Sequence, residues 1–132
     1  MIDLKTAPYA ALLLRICIGV LFLAHAGQKV FVFTPSGTAE YFASLGLPGP
    51  LAYAVILAEL LGGVALLLGI GTRAVAAALV PVLIGAAVFG HGSNGWLFSN
   101  EGGGWEFPAF WALALVALAL LGDGAHRVSL RS

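Results

Sequence analysis

Apolar residues in this chain come in long blocks, and polar residues collect between them. Four apolar stretches stand out, at about residues 9–31, 51–68, 74–90 and 107–121. A helix that is apolar all round faces lipid or lies buried, and roughly 20 such residues cross a bilayer. The pattern predicts an all-α fold, an integral membrane four-helix bundle within one domain spanning residues 1–132. The fourth stretch is short for a crossing, so its helix extends past these bounds or the bilayer thins locally. Between the first two stretches, Ser36 or Thr38 is placed to cap a short helix over about residues 37–45, with Gly46 and Pro48 as its stop. Tyr41, Phe42 and Leu45 share one side of it, as in a helix lying at the membrane interface. Pro81 predicts a kink in the third stretch, which membrane helices tolerate. Trp96 and Trp105, in the glycine-rich loop His91 to Glu106, fit an aromatic belt at the water boundary.

Composition agrees with the blocks. Hydrophobic residues are 61% and charged residues 9%, against about 45–50% and about 25% in soluble domains. Mean hydropathy is +1.02. Net charge is zero and no basic block occurs, which argues against a nucleic-acid partner. The one cysteine, Cys17, has no partner for an internal disulfide, so a dithiol relay within the chain is disfavoured and a small packing role is expected. A signal peptide is the competing reading of the first stretch, with Ile16 to Ala24 as its apolar region and Ala24-His25-Ala26 as a cleavage site. No soluble domain follows that would need export.

Charge sets an orientation. Four crossings put both chain ends and the Gly69–Arg73 turn on one side. That side carries Lys5, Arg73, Arg127 and Arg131, while the other carries at most Lys29. Positive charge marks the cytoplasmic face, so both termini are expected there. Arg15 is expected to snorkel toward the same side. Arg73 reads as a topology-setting charge, or as a brace for the turns. A faint repeat accompanies this. Leu67-Leu68-Gly69-Ile70-Gly71-Thr72-Arg73 is echoed by Leu120-Leu121-Gly122-Asp123-Gly124-Ala125-His126-Arg127, and the first and third stretches each deliver a histidine near their outer ends, His25 and His91. Two copies of a helical hairpin, a 2+2 repeat, would produce the echo.

The candidate chemistry centres on Glu59, near the middle of the second stretch. A carboxylate at mid-membrane costs at least ~2.5–3.5 kcal/mol on insertion scales, so it needs a partner, a proton or a wet cavity. The bland reading is a buried charge that pins one helix to another. Gly62 and Gly63 leave a notch for another helix or a flat ligand. His25 lies about 9 Å below the outer end of the first helix and Glu59 about 12 Å below that of the second, at 1.5 Å per residue. His25, Gln28 and Lys29 share a helical face by their spacing. These residues predict a polar pocket of His25, Gln28, Lys29 and Glu59, with His91 at its rim. Such a pocket suits a quinone, a small anion held by Lys29, or a metal. A metal held by His25, His91 and Glu59 lacks any close ligand spacing, and a bis-histidine haem is equally disfavoured, so neither is expected. No covalent cofactor is expected.

These residues carry a resemblance to the DoxX family. The matching pattern is Arg15, Gly19, the His25-Ala26-Gly27-Gln28-Lys29 run, Leu45-Gly46-Leu47-Pro48, Glu59-Leu60-Leu61-Gly62-Gly63, Leu68-Gly69 and Arg73. The close, Gly122-Asp123-Gly124 followed by Val128-Ser129-Leu130, is similar, but it departs from the family in Asp123 and in having no acidic residue after Leu130. The resemblance implies a multi-pass protein of the prokaryotic cytoplasmic membrane, associated with quinone-linked oxidoreductases. Under it, Glu59 and His25 handle protons while Gln28 and Lys29 hold the head of a quinone. The expected partners are the lipid bilayer and a soluble or membrane oxidoreductase subunit. Two alternatives stand: a small-solute transporter acting as a homo-oligomer, packed through Gly62 and Gly63, and a purely structural membrane anchor.

Overall fold

The computed structural model describes residues 1–129 and shows an all-helical chain. Leu130 of the family pattern and Arg131 of the charge count lie outside the described residues. Helix α1 spans Ala7–Gly27 and continues as a π-helical turn over Gln28–Val32. Helix α2 spans Pro35–Ser44, α3 Leu51–Leu68 and α4 Thr72–Gly85, the last again running into a π-helical turn, Ala86–Gly90. Helix α5 spans Glu106–Leu121. Three segments are long and apolar enough to cross a membrane: Ala7–Val32, Leu51–Leu68 and Thr72–Gly90. Helix α5 is apolar too, but its 16 residues reach only about 24 Å at 1.5 Å each.

Helix ends follow local chemistry. Gly69 closes α3 at φ 75° and Gly122 closes α5 at φ 88°, left-handed values that glycine adopts without a Cβ clash. The second glycines of the two turns, Gly71 and Gly124, are left-handed as well, at φ 55° and 71°. The echo seen in the sequence is thus also an echo in the backbone. Helix α2 starts differently from the expectation. Neither Ser36 nor Thr38 caps it; Thr34 does, its Oγ1 accepting from the Gly37 amide at 3.1 Å. Pro35, just inside the start, needs no acceptor, and its fixed φ favours the first helical position.

Helix α1 packs against α3 and α4 against α5, while α3–α4 and α1–α5 contacts close the ring. The core is Ile18 and Phe22 of α1, Leu66 of α3, Leu79 and Leu83 of α4, and Trp111, Leu115 and Leu118 of α5. Leu13, Val20, Leu57, Leu61, Leu113 and Leu120 point outward and are exposed, as lipid-facing side chains must be. Cys17 is exposed on α1 rather than packed inside. The buried stripe of α1 runs through Ala11, Arg15, Ile18, Phe22 and Ala26, and Cys17 falls outside it.

Candidate functional site

Within the ring, the C-terminal end of α1 meets α3. Lys29 Nζ donates to Glu59 Oε1 at 2.6 Å, and the Glu59 side chain is 3% exposed against 23% for Lys29. The carboxylate that the apolar surroundings would otherwise penalise therefore has its counter-charge. The ammonium uses one of its three protons here and keeps two.

The π-helical turn shapes this corner. Phe33 N–H bonds back to the Gln28 carbonyl at 3.0 Å, five residues away instead of four. The Lys29 carbonyl instead accepts from Thr38 Oγ1 at 3.2 Å. That hydroxyl also lies 2.8 Å from the Thr34 carbonyl, and Thr38 is buried. Helix α2 is thereby fastened over the backbone of Lys29, and it packs on α3 as well. Sequence reading missed Thr38 in this role and missed the π turn, which has no residue signature of its own. The loop that follows α4 is ordered by hydrogen bonds of its own. There Asn94 Nδ2 donates to the Gly102 and Gly103 carbonyls, and Glu106 Oε1 accepts from the Phe98 amide.

His25 does not join the ion pair. Among the described residues no hydrogen bond links it to Glu59. Its Nδ1 donates to the Leu21 carbonyl at 2.8 Å, which leaves Nε2 as the ring's remaining polar atom. The imidazole lies 4.9 Å from Trp111 and 6.4 Å from Phe107, centre to centre. The depth comparison set His25 level with Glu59, but level is not direction. Gly19 and Leu23 are α1 residues that meet Gly63 of α3, and His25 is two residues beyond Leu23, roughly 200° around the helix at 3.6 residues per turn. It faces α5 instead. Gln28 is exposed. His91 donates from Nδ1 to the Gly103 carbonyl at 2.9 Å and so belongs to the loop after α4.

The glycine notch is filled from within. A Cβ at Gly62 would come 2.7 Å from Leu79 of α4, and one at Gly63 2.8 Å from Leu23 of α1. Consecutive helical residues point about 100° apart, so each glycine serves one neighbour of α3. Neither remains open to a ligand or a second copy.

At the opposite end of the helices, Arg15 is fully buried. It lies on the core stripe of α1, so it does not snorkel outward along the lipid face. Its Nη2 donates to the Ala125 and His126 carbonyls at 3.0 and 3.1 Å. Arg73 is exposed beside Gly122. Asp123 takes the Thr72 amide on Oδ1 and Arg127 on Oδ2. The Arg127 hydrogen bond, with that of Thr72 behind it, holds the Asp123 carboxyl below the usual carboxylate range. Among the described residues no group of three or more His, Cys, Asp or Glu is placed to hold a metal ion.

Apolar helices of this length, enclosing a buried ion pair, define a multi-pass membrane protein. The chain belongs to the DoxX family, whose sequence model matches residues 10–92. It is 37% identical over 84 residues to "Putative oxidoreductase CatD" of Bacillus subtilis, a match covering 64% of this chain and 61% of that protein. The chain thus spans under two thirds of that relative's length. It is 32% identical over 125 residues to "Inner membrane protein YphA" of Escherichia coli, covering 89% of this chain and 86% of the relative. "Inner membrane protein YqjF" of the same organism is 28% identical over 132 residues, covering 94% and 92%. No solved structure matches the chain.

Proposed function

We propose that this chain is the membrane subunit of a quinone-linked oxidoreductase system, with four crossing helices and both termini in the cytoplasm. The observation that carries the reading is the Lys29–Glu59 pair, 2.6 Å apart, with the carboxylate buried and the lysine partly exposed. Its ammonium keeps two donors on the partly exposed side, which suits a quinone carbonyl. Glu59 supplies the carboxylate through which a proton can be relayed to the reduced ring oxygen. His25, on the neighbouring face of α1 against Trp111 and Phe107, offers Nε2 as a second proton-handling atom beside an aromatic surface. The name borne by the Bacillus subtilis relative supports an oxidoreductase connection. This chain shows no dinucleotide fingerprint or phosphate loop, so the partner subunit carries the main redox chemistry.

The same pair favours one competing reading. Glu59 is already satisfied, and a satisfied ion pair can act as a clamp between α1 and α3 and nothing more. Native mass spectrometry of the protein, gently extracted from its own membrane, separates the two. A quinone-sized adduct or a co-purifying oxidoreductase, with the adduct lost in a folded Glu59→Gln variant, is the expected result. A bare protein whose Glu59→Gln variant only melts earlier sinks the quinone reading and leaves the clamp. Solute flux by the protein alone in liposomes would point instead to transport.

A further inference from the structure

The end of the molecule away from the ion pair gathers positive charge around two glycines. A Cβ on Gly69 would collide with Arg15 Nη1 and come 2.9 Å from the Arg127 Cβ; one on Gly122 would come 3.0 Å from Arg73 Nε and 3.1 Å from its Nη2. Arg73 and Arg127 are exposed at this end of the helices, with Arg15 buried beside Gly69. Among the described residues, the one carboxylate hydrogen-bonded here is that of Asp123. Asp123 spends its two oxygens on the Thr72 amide and on Arg127, the latter at 2.7 Å. Among the described residues Arg73 has neither a hydrogen bond nor an ion pair. Arg15 Nε and Nη1, buried beneath the segment that follows α5, have no hydrogen-bond partner either. The unanswered guanidinium of Arg73 favours an anion beside it, and the planar forks of Arg73 and Arg127 suit phosphate oxygens.

We propose that this surface holds the phosphate of an anionic phospholipid, between the exposed guanidinium groups of Arg73 and Arg127. Arg15 contributes its charge from beneath and holds the Ala125 and His126 carbonyls, which positions Arg127. A lipid is the fitting source because the surface lies where four apolar helices end. Helix α1 begins there, α3 ends, α4 begins and α5 ends, at the headgroup level of one leaflet. Basic pockets between membrane helices are the recurrent form of such headgroup sites.

The test is native mass spectrometry of the full chain from micelles that contain phosphatidylglycerol and phosphatidylcholine in equal amounts. The expected spectrum retains phosphatidylglycerol in preference to phosphatidylcholine. Arg73→Gln should lower that preference roughly fivefold, as should Arg127→Gln, at about 1 kcal/mol for each basic residue near the surface. Both side chains are exposed, so the variants keep the fold, which an unchanged thermal transition verifies. Glu101→Gln, exposed at the other end, leaves the preference unaltered. Equal retention of the two lipids by the natural protein overturns the proposal, and so does a preference that survives both arginine substitutions. Loss of the lipid to excess inorganic phosphate also overturns it, by showing a site for a free anion.

Discussion

Lys29 and Glu59 stand 30 positions apart in sequence, and the sequence marks both as costly in an apolar setting. What it does not carry is the choice of partner. His25 and Lys29 are four residues apart, and in a regular helix they share a face. The π turn that begins at Gln28 changes that register, and the long lysine side chain reaches where the shorter imidazole does not. The pairing has an energetic signature. Removing one member of a buried pair leaves the other charge uncompensated, at about 3–5 kcal/mol in a dry interior. Lys29 keeps 23% of its side chain exposed, whereas Glu59 keeps 3%. Lys29→Met should therefore be the more damaging change, by about 3 kcal/mol. Glu59→Gln should cost about 1 kcal/mol, because the freed ammonium can turn to the polar boundary. The double variant should recover much of the loss. Thermal or denaturant unfolding in mild detergent, run as a double-mutant cycle, measures this. Equal single effects that simply add would remove the ion pair from the energetics.

At the scale of elements, the apolar blocks were legible because a bilayer-length helix needs little else. The glycine-closed ends of α3 and α5 were legible because φ near +80° excludes most side chains. The role of Gly62 and Gly63 was legible only in part: close approach was readable, but not which helix approaches. The two positions differ in how their neighbours can yield. At Gly63 a new Cβ meets Leu23 and also the Gly19 carbonyl at 3.1 Å, which belongs to the backbone of α1. At Gly62 the nearest atoms it meets all belong to the Leu79 side chain. Gly63→Ala should force α1 and α3 apart and cost about 1–3 kcal/mol. Gly62→Ala should cost less than about 1 kcal/mol, because Leu79 can change rotamer. Melting temperatures of the two variants rank them. A Gly62→Ala variant that melts below Gly63→Ala would mean that the α3–α4 contact is the tighter one.

Over the whole molecule, charge is separated from end to end. Lys5, Arg15, Arg73 and Arg127 lie toward the end where α1 begins and α5 ends, with Asp3 and Asp123; Lys29, Glu40, Glu59, Glu101 and Glu106 lie toward the other. Among the described residues the first end therefore carries four basic to two acidic, and the second one basic to four acidic. Basic residues close to the ends of membrane helices are retained on the cytoplasmic side, and the surface potential of an anionic leaflet strengthens that placement. Helix α5 bears on this, since its 16 residues fall short of the roughly 30 Å hydrocarbon core. Its crossing requires local thinning or burial of its flanks, including Trp105 before it and the Gly122 turn after it. If α5 crosses, the C-terminus returns to the side of the N-terminus. A green fluorescent protein fused after the C-terminus should then fluoresce in a bacterial host, and alkaline phosphatase fused there should be inactive. Alkaline phosphatase inserted in the loop after His91 should be active. Active phosphatase at the C-terminus would show that α5 does not complete a crossing. It would also put Arg127 on the opposite side of the membrane from Arg73, against the packing that places both beside the Gly122 turn.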